Sequence, residues 1–143
     1  MIADLNGNKT HQLVSDAITM LENLKHRGAE GADARTGDGA GIMVQIPHEF
    51  ILLQGIPVPE RGRYGTGLIF LPKEGKAGES YLGILREETQ REGLVLSNVR
   101  EVPVNSDILG ETARACEPHV VQVFITGADS APEGLETRRN GVR

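Results

Sequence analysis

One amphipathic helix, one glycine-rich corner and one short apolar run, in that order, constrain this chain more than anything else in it. From His11 to His26 the apolar positions Leu13, Val14, Ala17, Ile18, Leu21 and Leu24 fall on a single helical stripe. Thr10 reads as the N-cap. Lys25, His26 and Arg27 suit the negative end of the helix dipole, and Gly28 suits the position just past the last turn. The run His26-Arg27-Gly28-Ala29 then leads to Asp33-x-x-Thr36-Gly37-Asp38-Gly39-Ala40-Gly41. Glycines permit left-handed backbone, and Asp33 and Asp38 can cap amide groups in tight turns. After the corner, Ile42, Val44 and Ile46 alternate with Met43 and Gln45, which predicts a strand over 41–46 ended by Pro47.

Further along, residues 55–65 read as an exposed loop and 66–71 as a buried strand stopped by Pro72. Residues 73–78 are turn-like. A second helix is expected over 79–92, with Tyr81, Leu82 and Leu85 inward and Glu87 paired to Arg91 four residues on. One or two strands fit 94–104, and another fits 120–125. Residues 126–143 carry no apolar periodicity and read as a loose end. Helices and strands mixed in this way predict an α+β or layered arrangement.

At 143 residues the chain is of single-domain size, and with no Trp, three Phe and two Tyr its core must rest on Leu, Ile and Val. A net charge of -5 argues against a nucleic-acid footprint. No apolar run approaches the length of a spanning helix. The amino-terminal residues lack the basic-then-apolar order of a signal peptide, so the chain reads as cytoplasmic and the Asn8-Lys9-Thr10 sequon as coincidental.

Specific chemistry is sparse. The corner runs from helix to strand with the spacing Gly37-x-Gly39-x-Gly41, the reverse order and wrong spacing for a dinucleotide fingerprint, and no P-loop occurs. His11, His26, His48 and His119 show no paired metal spacing, and Cys116-x-x-His119 offers two ligands at most, so no metal is expected. As the lone cysteine, Cys116 cannot form an internal disulfide and reads as a small buried apolar residue. Glu87, Glu88 and Glu92 read as a solvated helix face, and Asp107 as a turn cap. From composition alone, the glycine corner is either a structural turn or a place where backbone approaches a small polar ligand.

The ordered motifs add a resemblance. Ile2-Ala-Asp-Leu-Asn-Gly7, His26-Arg27-Gly28-Ala29, Thr36 to Ile42, Gln45-Ile-Pro-His48, Arg100-Glu-Val-Pro-Val-Asn105, Leu109-Gly110 and Glu117-Pro118 leading to 122–125 follow one another in this chain. In that order they resemble the class II glutamine amidotransferase domain of the glutamate synthase large subunit. The resemblance implies a layered αββα fold of the N-terminal-nucleophile hydrolase kind. It implies a cysteine nucleophile at the very start of the domain, with its own α-amino group as base. That cysteine attacks the side-chain amide of glutamine and releases ammonia, which travels to a distant FMN site for reductive amination of 2-oxoglutarate to glutamate. FMN and an iron–sulfur cluster belong to the parent enzyme, none to this chain, and the partners implied are the rest of that polypeptide and its small subunit.

The family's Cys-Gly-Val-Gly start is absent here, and Met1 stands a few positions inside it. Cys116, without a free α-amino group, cannot replace the nucleophile. No catalytic residue is therefore carried over. A near-site corner of His26, Arg27, Gly28, Thr36, Gly37, Asp38 and Gly39 is what the resemblance assigns. The expectation is a partial amidotransferase domain over 1–143, without activity of its own and with strand edges left open. The alternative is a non-catalytic binding or regulatory module built on the same scaffold. The electron donor of the parent enzyme stays open.

Overall fold

The computed structural model describes residues 4–24, 35–37, 39–73 and 77–130. Along the chain these form helix α1 (His11–Asn23), helix α2 (His48–Leu53), strand β1 (Tyr64–Leu71), helix α3 (Ala77–Arg91), strand β2 (Leu94–Glu101), helix α4 (Glu111–Ala115) and strand β3 (His119–Gly127), with single 3-10 turns at 106–108 and 128–130. The mixture is α+β, as the sequence predicts. Two compact units divide the chain, one within Met1–Gln45 and Asn105–Glu117, the other within Ile46–Val104 and Pro118–Arg143.

In the first unit, Asp4 opens the described chain with a turn. Its carboxylate accepts from the backbone amides of Asn6 (2.8 Å) and Asn8 (3.2 Å), and these bonds hold its pKa below the ordinary value. Gly7 takes the left-handed conformation that the turn requires (φ +73°). Helix α1 begins after Thr10, whose backbone is extended as an N-cap should be but whose side chain makes no cap bond. Leu13, Val14, Ala17 and Leu21 are half-buried, whereas Ile18 and Leu24 at the stripe's margins are exposed. The described helix ends at Asn23, and Lys25, His26, Arg27 and Gly28 lie outside the described residues.

The second unit is organised by a three-stranded antiparallel sheet in the order β1-β3-β2. β1 runs against β3 from Tyr64↔Thr126 to Leu71↔His119 without a register shift. β2 pairs from Leu94↔Gly127 to Glu101↔Val121, with a bulge between Leu96 and Asn98. The bulged Ser97 is 3% exposed, and its hydroxyl donates to the carbonyl of Phe124 (3.1 Å), so the extra residue leaves no polar group stranded.

Alternation along β3 gives the sheet two faces. On one, Val121 and Val123 join Leu71 and Leu96 in a buried cluster, against which Ile69, Ile125 and the α3 residues Leu82 and Leu85 pack. On the other, Phe124, fully buried, joins Tyr64 and Ile51, with Ile56 and Val58 against them. α3 therefore covers one face, while α2 and the segment after it cover one end of the other.

Several sequence expectations are corrected. Residues 41–46 form no strand: they are exposed, with no ladder partner among the described residues. The element that does form is α2, immediately after Pro47. It closes with a Schellman turn, in which the Ile56 amide reaches the Ile51 carbonyl (3.3 Å), the Gly55 amide reaches Leu52 (2.9 Å), and Gly55 takes φ +71°. Residues 55–65 are thus not simply an exposed loop, since Ile56 and Val58 pack on the core and the Pro57 carbonyl accepts from the Asn98 side chain (2.7 Å).

β1 is an edge strand, with Leu68 and Phe70 exposed, not a buried one. On α3, Tyr81 is exposed, and Arg91 pairs with Glu88 three residues back, not with Glu87. β3 continues to Gly127 and buries Thr126, so the ordered fold runs past 125; residues 131–143 lie outside the described residues. Asn105, not Asp107, is the cap of the turn at 106–108, its side chain accepting from the Asp107 amide (3.2 Å).

Because both buried clusters meet on β3, truncation there should cost far more than on β1. Phe124→Ala is expected to lower unfolding stability by about 3–5 kcal/mol. Leu68→Ala, on the exposed face, should stay within about 0.5 kcal/mol of the parent. Urea unfolding followed by circular dichroism separates the two.

Candidate functional site

The glycine corner is the stretch to which the motifs point, and part of it is described. Thr36 is half-buried, Gly37 and Gly39 are exposed, and Gly39 holds φ +76°, a conformation that disfavours any side chain. His26, Arg27, Gly28 and Asp38 lie outside the described residues.

What holds the described part in place comes from far along the chain. The Arg35 carbonyl accepts from the Gly110 amide (3.1 Å), and the Arg35 guanidinium donates to the Asp107 carbonyl. Gly110 is buried there, and it also starts α4, whose Arg114 amide bonds the Gly110 carbonyl (2.9 Å). Arg114 in turn donates to the Ser106 carbonyl (2.9 Å), and the Ser106 hydroxyl meets Glu117 at 2.5 Å. Segment 105–117 is thus a brace for the corner, a contact across more than seventy residues. Leu109-Gly110 was legible as a motif, but its role as the corner's support was not.

Cys116 sits at the end of α4 and is exposed, against the expectation of a buried residue. The thiol donates to the Thr112 carbonyl of this five-residue helix (2.9 Å). Of the described histidines, His11 lies by Ser15, and His119 contacts Glu101 at the sheet's end. Among the described residues no group of three His, Cys, Asp or Glu could hold a metal ion.

The other polar cluster belongs to the sheet unit. His48 at the start of α2 places Nδ1 3.1 Å from the Tyr64 hydroxyl, with the rings 5.8 Å apart. With the imidazole proton on Nε2, Nδ1 accepts and the phenol donates. Tyr64 stacks tilted on Phe124 in turn, centroids 6.3 Å apart, and Glu49 pairs with Arg61 beside it. Burial raises the Tyr64 hydroxyl pKa; Arg61 opposes the shift and Glu49 adds to it. His48 was legible only as part of Gln45-Ile-Pro-His48, and Tyr64 not at all. This pair ties α2 to β1.

Comparison with known families says what the chain is similar to. The family model for class-II glutamine amidotransferases matches residues 1–143, the whole chain. The chain belongs to the class-II glutamine amidotransferases.

Its similarity runs to glutamate synthases, as the motif order implies. It is 40% identical over 137 residues to ferredoxin-dependent glutamate synthase 2 of Synechocystis, covering 93% of this chain and 8% of that protein. To the glutamate synthase [NADPH] large chain of Bacillus subtilis it is 39% identical over 144 residues, 97% of this chain and 9% of that one. To glutamate synthase [NADH] of Saccharomyces cerevisiae it is 34% identical over 148 residues, 96% of this chain and 7% of the relative. The chain spans less than a tenth of the length of these relatives.

The burial of the Tyr64 hydroxyl yields a prediction with a sign. The folded state holds the phenolic proton more tightly than the unfolded chain, whose value is about 10.0. Stability from this group is therefore complete below that pH and is lost as pH rises through the higher folded value. Tyr64→Phe should cost about 1 kcal/mol at neutral pH and should flatten the alkaline loss. Urea midpoints across the alkaline range measure both effects.

Proposed function

We propose that this chain is part of the glutaminase layer of a glutamate synthase, the layer that releases ammonia from glutamine for reductive amination of 2-oxoglutarate to glutamate. What supports the reading is a single observation: the amidotransferase family match over residues 1–143 is accompanied by 34–40% identity to glutamate synthases over nearly all of the chain. In this reading residues 1–143 are a portion of one amidotransferase domain, and the small antiparallel sheet is part of a layered αββα sandwich.

The corner of His26, Arg27, Gly28, Thr36, Gly37, Asp38 and Gly39 packs beside the nucleophile supplied by the family's Cys-Gly-Val-Gly start. Its task is positioning. Gly39, with its left-handed backbone, lets the chain turn closely, and the Arg35 contacts with 105–117 keep that turn fixed. Positioning of this kind is catalytically valuable because a displacement of about 1 Å at a reacting centre can cost on the order of 10²-fold in rate. The chain's own residues supply no nucleophile with a free α-amino group, so glutamine hydrolysis by this chain alone is not part of the reading.

FMN and the iron–sulfur cluster belong to the remainder of the enzyme. A cluster needs several thiolates, and the lone Cys116 does not fit one. Glutamine is the substrate, the rest of the polypeptide and the small subunit are the partners, and the setting is cytoplasmic.

The reading is tested in two steps. The purified chain should release no glutamate from glutamine above background. In a polypeptide extended to the full enzyme, Arg27→Ala should lower glutamine-dependent glutamate formation by about 10²-fold while formation from added ammonia is unchanged. Turnover by the isolated chain, or equal loss with both nitrogen sources, contradicts it.

A further inference from the structure

Two bonds of different kinds meet on Arg35, the residue that leads into the glycine corner. Its backbone carbonyl accepts from the Gly110 amide (3.1 Å). Its guanidinium donates to the Asp107 carbonyl, 72 residues away in sequence. Asp107 lies in the 3-10 turn at 106–108, and Gly110 is the residue from which α4 starts. Both belong to one cross-linked platform. The Asn105 side chain caps the turn at the Asp107 amide (3.2 Å), and Arg114 reaches back from α4 to the Ser106 carbonyl (2.9 Å). The Ser106 hydroxyl closes the segment onto Glu117 (2.5 Å).

The two bonds do different things. A single backbone hydrogen bond fixes where the Arg35 carbonyl sits but leaves the chain free to turn about it. A second bond from the same residue, to a group three positions away on the same platform, removes that rotation. The need for it is greatest here, because Gly37, Gly39 and Gly41 follow. Glycine gives up more backbone freedom on ordering than any other residue. A guanidinium suits the task, since its N–H groups bond a neutral carbonyl with charge assistance and a fixed planar geometry.

We infer that the Arg35 side chain is a positioning residue for glutamine hydrolysis, given the reading above that this corner packs beside the nucleophile. By holding the Asp107 carbonyl it sets the direction in which Thr36 and Gly37 enter the corner. It acts through the backbone that follows it, not on the substrate.

Kinetics of a polypeptide extended to the full enzyme test this, with glutamine or added ammonia as nitrogen source and Arg27→Ala run alongside. Arg35→Ala should lower kcat with glutamine by about tenfold and leave KM for glutamine within about twofold, because displacement acts on the reacting centre and not on uniform binding. The ammonia-driven rate should be unchanged. Arg35→Lys keeps a donor and should recover part of the lost rate. Asp107→Ala should behave as the parent, since the acceptor is a backbone carbonyl. Amide exchange over 36–41, followed by mass spectrometry, should quicken in Arg35→Ala and not in Asp107→Ala. A full glutamine rate in Arg35→Ala beside a loss in Arg27→Ala overturns the role of Arg35 and leaves the glutaminase reading standing. Equal loss of the ammonia-driven rate in both variants overturns the two together. A Lys variant no better than Ala, or an Asp107→Ala variant as slow as Arg35→Ala, also overturns the role of the Arg35 side chain.

Discussion

Everything in the sheet unit depends on β3. Among the described residues it is the only strand with a partner on each side, and it contributes the most deeply buried side chain to each face, Val121 toward α3 and Phe124 toward α2. A two-stranded ribbon is marginal in water, and the third strand matters because it lets one strand be buried on both faces. β1 and β2 never touch each other in the ladder, so loss of β3 would leave two unpaired strands and two clusters without a centre. The five aromatic residues of the chain are too few to build a core by themselves. The unit compensates by placing one of them, Phe124, where Ile51, Ile56, Val58 and Tyr64 converge on it.

The polar groups near that centre follow from the same geometry. Burying a hydroxyl without a partner costs about 1–3 kcal/mol. Ser97 meets this by donating to the Phe124 carbonyl, and Thr66 by donating to that of Val123 (2.8 Å) while accepting from Gln122 (2.9 Å). Tyr64 uses His48 in the same way. The exception is Arg100, whose Nε is buried without a partner among the described residues. It lies opposite Gln122, on the half of the sheet face that α2 does not reach.

How much of this the sequence discloses depends on the range of the contact. α1, α3 and the three paired strands are legible because their apolar periodicity is local and long enough to register. α2 is not, since six residues after a proline give less than two turns of pattern, and its decisive feature is Gly55 closing the last turn. Residues 42–46 show the converse: Ile42, Val44 and Ile46 fall on alternate positions, yet no neighbouring strand is present among the described residues to receive them. Periodicity states which face would be buried, not whether anything lies there to bury it. The candidate site was legible as a motif through Thr36, Gly37 and Gly39, but its brace was not. Nothing local to Arg35 signals that Asp107 and Gly110 will meet it.

The corner and its brace also bear on why relatives with different electron donors resemble this chain so evenly. Proteins named for ferredoxin, NADPH and NADH match it at 40%, 39% and 34% identity over nearly its whole length. In the proposed function this is the physical expectation. Hydrolysis of an amide moves a proton and an acyl group but no electrons, so nothing in the glutaminase layer has to answer to the donor. What the layer must keep is geometry: a corner that turns on left-handed glycine, and a segment from the other end of the sequence that pins it. Neither depends on redox potential. Similar identity to relatives named for different donors is therefore what the proposed function expects of a glutaminase portion.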